Sequence, residues 1–86
     1  MSHGKLYVGN LPAKTSENDL SDIFAKYGEI RYIDLKRSRG AAPYAFIQYE
    51  RESSAYDASW AWRVGYINSG NALRVEVVTD GVPELR

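Results

Sequence analysis

The 86-residue chain has no cysteine, one histidine and one methionine. Without cysteine there is no disulfide framework and no thiolate metal site, so stability must come from packing, as suits a reducing cytosol or nucleus. The single histidine, His3, lies in a start expected to be unstructured, and the carboxylates are scattered along the chain. The groups that usually carry acid-base or metal chemistry are therefore not assembled, and no enzyme activity, metal or cofactor is expected. No apolar run approaches the roughly 20 residues of a membrane span. Met1 is followed by Ser2, His3 and Gly4 rather than by a charged segment and an apolar run, so neither a membrane nor a secretory signal is expected. Charge of one sign is also missing. Eleven Lys and Arg against eleven Asp and Glu give zero net charge, whereas many nucleic-acid binders carry a positive excess.

What is present is patterning. The length bounds the answer to one small domain over 1–86, with a core at about 5–78 and a tail at 79–86. Lys5 to Val8 alternates as a half-buried strand until Gly9-Asn10-Leu11-Pro12 breaks it. Ser16 and Asp19 form a weak capping box, and Leu20, Ile23, Phe24 and Tyr27 recur at helical spacing up to Gly28. Ile30, Ile33 and Leu35 mark a second strand, and Arg37 to Pro43 make a connection to a third strand at Tyr44 to Tyr49. A second helix is expected from about Ser53 to Arg63, with one of its first serines as cap and Ala55, Ala58, Ser59 and Trp62 inward. After a turn-rich stretch between Gly65 and Gly70, Ala72 to Val78 alternates again. The order βαββαβ predicts an α+β, ferredoxin-like sandwich: a four-stranded antiparallel sheet with both helices on one face.

Strand parity then separates two sets of side chains. Leu6, Val8, Ile33, Leu35, Ala45, Ile47, Tyr49, Leu73, Val75 and Val77 should face the helices, because that parity carries most of the apolar residues. The other parity, Lys5, Tyr7, Tyr32, Asp34, Lys36, Tyr44, Phe46, Gln48, Arg74, Glu76 and Val78, is left uncovered. Aromatic residues on an uncovered face mark an interaction surface, unless cross-strand pairing alone accounts for them. A local cluster of Arg31, Lys36, Arg37 and Arg39, opposed only by Asp34, is either phosphate-binding or a solvated loop.

Five segments carry a resemblance: Leu6-Tyr7-Val8-Gly9-Asn10-Leu11-Pro12, Tyr27-Gly28-Glu29-Ile30-Arg31, Ile33-Asp34-Leu35-Lys36, Pro43-Tyr44-Ala45-Phe46 and Leu73-Arg74-Val75-Glu76. Over Lys5 to about Val78 the chain resembles the RNA recognition motif family, and most nearly the first motif of serine/arginine-rich splicing factors. The resemblance implies single-stranded RNA as partner, with Tyr7, Tyr44 and Phe46 contacting bases and ribose. It further implies a role in pre-mRNA splicing or mRNA processing, with nuclear localisation and possible shuttling to the cytoplasm. Lys5, Asn10, Tyr32, Lys36, Arg37, Arg39, Gln48, Arg74 and Glu76 complete the expected RNA-binding set. One departure stands out. Where the family's octamer usually begins with Lys or Arg and then Gly, this chain has Ala42 and Pro43, which leaves phosphates to Lys5, Lys36, Arg37, Arg39 and Arg74.

Two other readings are open. Acylphosphatases share the architecture, but the loop from Gly9 to Ser16 lacks the arginine their phosphate loop requires. The second is a protein-binding module, with a splicing-factor or other protein partner on the helical side; on either reading a monomer is expected. The subgroup of RNA recognition motifs that captures peptides through Arg-x-Phe is not matched, since Arg63-Val64-Gly65 lacks the Phe. Helical spacing places Trp62 toward the sheet and Trp60 outward beside Tyr56 and Arg63, the candidate protein-contact residues.

Overall fold

The computed structural model describes residues 2–64 and 73–79, with side chains described for 4–62 and 73–78. The stretch from Gly65 to Gly70, Ala72, the tail beyond Thr79 and the side chain of Arg63 lie outside the described residues. The elements are β1 (Ser2–Gly9), α1 (Glu17–Phe24), a 3-10 turn (Ala25–Tyr27), β2 (Ile30–Lys36), β3 (Tyr44–Tyr49), α2 (Glu52–Val64) and β4 (Arg74–Thr79). The strands form one antiparallel sheet in the order β2-β3-β1-β4. This is the expected βαββαβ sandwich.

The fully buried side chains show which sheet face the helices cover. Leu6 and Val8 from β1, Ala45, Ile47 and Tyr49 from β3, Leu20 and Phe24 from α1, and Ala55 and Ala58 from α2 form a single cluster. Ile33, Leu35, Leu73, Val75 and Val77 pack against it while remaining partly exposed, since they sit on or beside the two edge strands. Tyr49 brings a polar atom into this core and satisfies it: its hydroxyl donates to the carbonyl of Phe24 at 2.7 Å, at the end of α1 where helix carbonyls lack partners. Burial pushes the Tyr49 phenol well above its usual range, with Tyr27 adding to the effect.

Local chemistry explains the element ends. Ser16 Oγ accepts from the Asp19 amide at 3.1 Å while the Asp19 carboxylate accepts from the Ser16 amide at 3.0 Å, completing the capping box. The expected single helix to Tyr27 instead tightens into a 3-10 turn, closed by Gly28 donating to Ala25 at 3.1 Å. Gly28 has φ +154, and a Cβ there would come within 2.0 Å of Ser54 Oγ. This close approach locks the end of α1 onto α2. It also corrects the cap assignment: α2 begins at Glu52, so Ser53 and Ser54 lie inside its first turn, and Ser54 is buried against Gly28.

The chain start corrects a second expectation. Residues expected to be unstructured, His3 included, extend β1 back to Ser2, where Ser2 pairs with Thr79 across an irregularity before Lys5. Gly4 sits in that irregularity with φ +81, a conformation that disfavours side chains.

Candidate nucleic-acid interface

Cross-strand register arranges the uncovered parity into rungs. The central rung runs Asp34, Phe46, Tyr7, Glu76 from edge to edge, and the rung on one side runs Tyr32, Gln48, Lys5, Val78. On the other side Lys36 lies opposite Tyr44, and Gly9 opposite Arg74. All three expected base-contacting aromatics are therefore on neighbouring strands, and their rings touch. Tyr7 lies 5.6 Å from Phe46 and 6.0 Å from Tyr44, while Tyr44 and Phe46 meet edge to face at 6.0 Å. Each ring is half-buried by its neighbours, and no described helix packs over this face. Tilted and edge contacts suit the ring quadrupoles and make one continuous aromatic platform.

Gly9 makes this platform possible, a role that strand patterning did not reveal. A Cβ at Gly9 would lie 2.4 Å from the Tyr7 hydroxyl and 2.8 Å from its Cζ, so the Tyr7 ring lies along the bare backbone two residues ahead. Glycine at that position could be read from the sequence as a strand breaker, but not as a bed for a ring.

The charges around the platform are mostly paired. Lys36 Nζ is 3.6 Å from Asp34, and Arg74 Nε donates to Glu76 at 2.9 Å. The latter contact, with the nearby Tyr7, raises the Arg74 pKa. Lys5 Nζ sits 5.8 Å from the centre of the Phe46 ring, within cation-π reach. Arg37 is turned to another task. Its guanidinium donates to the carbonyl of Ala13 at 2.6 Å and to that of Thr15, tying the end of β2 to the loop between β1 and α1. Leu11 donates to Pro43 at 3.0 Å and joins the same loop to the start of β3. Arg39 is exposed in the β2-β3 connection, and Asn10 ends β1 with φ 59, a left-handed conformation that Asn tolerates. Arg31 stands apart from the platform: it pairs with Glu50 at 3.1 Å, which holds the Glu50 carboxyl below its usual range.

On the helical side, Trp60 is exposed, while Trp62 is half-buried with its ring 5.5 Å from Phe24. Tyr56 is exposed beside Trp60. No group of three or more His, Cys, Asp or Glu among the described residues could hold a metal ion. No helix among them is long and apolar enough to cross a membrane.

Comparison with known proteins matches this geometry. The chain is 48% identical over 73 residues to human serine/arginine-rich splicing factor 9, covering 85% of this chain and 33% of that protein. It is 49% identical over 72 residues to a probable splicing factor, arginine/serine-rich 3, of Caenorhabditis elegans, covering 84% of this chain and 27% of the relative. It thus spans about a third or less of the curated relatives it matches. Among solved structures, the first RNA recognition motif of Plasmodium falciparum SR1, in complex with ACAUCA RNA, is 42% identical with a TM-score of 0.68, covering 90% of this chain and 85% of that one. The third such domain of Pes4 superposes with a TM-score of 0.84 at 24% identity over 95% of this chain and 99% of that one, a likeness of fold. The RNA recognition motif profile itself matches residues 6–60, from the first aromatic strand into α2, and the chain belongs to the RNA recognition motif family.

Proposed function

We propose that this domain binds single-stranded RNA across the open sheet face, and that it does so as part of a serine/arginine-rich type factor in pre-mRNA splicing or mRNA processing. The observation that carries the reading is the contiguous cluster of Tyr7, Tyr44 and Phe46 on the face the helices leave open. Every base offers a π face, so rings in this arrangement accept unpaired bases whatever their sequence. Lys5, Asn10, Tyr32 and Gln48 extend the surface along its next rung and at the end of β1, and Arg39 supplies charge from the β2-β3 connection. Lys36, Arg74 and Glu76 flank the rings, while Arg37 contributes chiefly by holding the rim in place. The names of the curated relatives support the splicing role; a nuclear location with shuttling to the cytoplasm and a monomeric state are further parts of this proposal.

Titration of labelled single-stranded RNA against Phe46→Ala tests the reading. Loss of one stacked base is expected to cost about 1–3 kcal/mol of binding with an unchanged circular dichroism spectrum. The same titration over a range of salt tests the charge argument. With Lys36 and Arg74 paired within the protein and Arg37 occupied, about 2–4 phosphate contacts predict a log-log slope of roughly −1.4 to −2.8. Unchanged affinity in the folded Phe46 variant would refute the site.

A further inference from the structure

Tyr56 and Trp60, 48% and 63% exposed, are four residues apart on α2 and so neighbours on one side of the helix. Beside them runs β4, the last strand in the sheet order, whose outer edge is paired with no other described strand. Between the two lies a groove of about 730 Å³, with Tyr56, Asp57, Ser59 and Trp60 on one wall and 75–77 of β4 on the other. No proline interrupts β4, so its edge presents regular backbone donors and acceptors.

The charge of this groove selects its occupant. Asp57 is exposed and has no ion-pair partner among the described residues, and no Lys or Arg among the described side chains lines the groove. Glu76 adds a second carboxylate at the boundary with the open sheet face, although Arg74 already pairs with it. An acidic strand would be repelled here, and an apolar one would leave Asp57 unmatched. A planar cation suits both the aromatic faces and the carboxylate, and guanidinium stacks on indole and phenol rings better than ammonium does. RNA is disfavoured by the same charges, since its phosphates would face Asp57 with no cation among the described side chains of either wall.

We propose that this groove binds an extended, arginine-bearing peptide that adds to the β4 edge as a fifth strand and lays a guanidinium against Trp60 and Asp57. Strand addition supplies affinity through the main chain, and the side-chain contacts select arginine. The site is separate from the aromatic platform and does not depend on the RNA-binding reading.

The test uses a fluorescein-labelled, capped peptide alternating arginine with valine, alongside counterparts carrying lysine or glutamine at the arginine positions. Anisotropy should rank arginine above lysine, and the glutamine peptide at least about tenfold weaker than arginine, as loss of both the cation-π contact and the ion pair requires. Trp60→Ala should weaken the arginine peptide about 5- to 30-fold. Asp57→Asn should weaken it less and narrow its advantage over glutamine. Both side chains are exposed, so both variants should keep the wild-type circular dichroism. Amide shifts at Val75 to Val77 should accompany binding. Equal affinity for the glutamine peptide, or indifference to both substitutions, overturns the proposal. Displacement of the peptide by single-stranded RNA in a Trp60-dependent manner would reassign the groove to RNA.

Discussion

The two faces of the sheet are built from the same strands and differ in almost everything else. Leu6, Val8, Ala45, Ile47 and Tyr49 are at most 1% exposed, and their alternating neighbours Lys5, Tyr7, Tyr44, Phe46 and Gln48 remain half open to solvent. On the covered face the Tyr49 hydroxyl is satisfied internally, by donating to the Phe24 carbonyl. On the open face, aromatic rings support one another by tilted and edge contacts, and a lysine lies within cation-π reach of one of them. One backbone thus separates a stability surface from a binding surface by nothing more than residue parity. Changes on one face should move one measurement and leave the other alone.

The largest separation is expected at Ile47 and Phe46, adjacent in β3 but on opposite faces. Ile47→Ala removes a fully buried side chain and should cost about 2–5 kcal/mol of stability, measured by urea unfolding. Phe46→Ala should leave the unfolding midpoint close to wild type while weakening RNA binding; a collapse in its stability would show that the platform is a second core.

A smaller effect on the covered face is expected from Tyr49→Phe. Removing the hydroxyl leaves the buried Phe24 carbonyl without its donor and should cost about 1–2 kcal/mol. The pH dependence has a defined sign. Burial raises the Tyr49 pKa, so the folded protein keeps the proton that the unfolded chain releases above about pH 10, the ordinary phenol value. The stabilisation is complete below that pH and is lost as pH rises beyond it. Unfolding curves for Tyr49→Phe should show a shallower alkaline decline than wild type, and an identical decline would mean that Tyr49 is not the group responsible.

The smallest effect lies on the open face. Gly9→Ala should push the Tyr7 ring off the backbone and reduce RNA affinity by on the order of 1 kcal/mol, less than removal of a whole stacked base. Tyr7 ring chemical shifts would follow the displacement. If affinity holds while those shifts move, the platform tolerates a tilted Tyr7, and the flat placement matters less than the presence of the ring.

Much of this organisation is legible in the residues alone. A period of two separates faces by simple stereochemistry, so Leu6, Ile47, Tyr7 and Phe46 could be assigned to opposite sides without knowing which strands are neighbours. The capping box at Ser16 and Asp19 is equally local, and the outward setting of Trp60 needed only helical geometry. What tertiary structure decided are contacts between parts distant in sequence, where spacing carries no signal. Arg37 looked like a phosphate ligand because it belongs to a basic cluster, yet the fold brings the Ala13 and Thr15 carbonyls within its reach. Ser54 looked like a cap, but Gly28 approaches so closely that its hydroxyl packs inward. Pairing of Lys36 with Asp34 and of Arg74 with Glu76 depends on side chains meeting on one strand face, which parity permits but does not require. The groove beside β4 depends on that strand standing at the sheet edge next to α2, a matter of strand order. Local stereochemistry therefore determined which side chains this domain offers on each face, and three-dimensional packing decided which of them are already occupied by the protein itself.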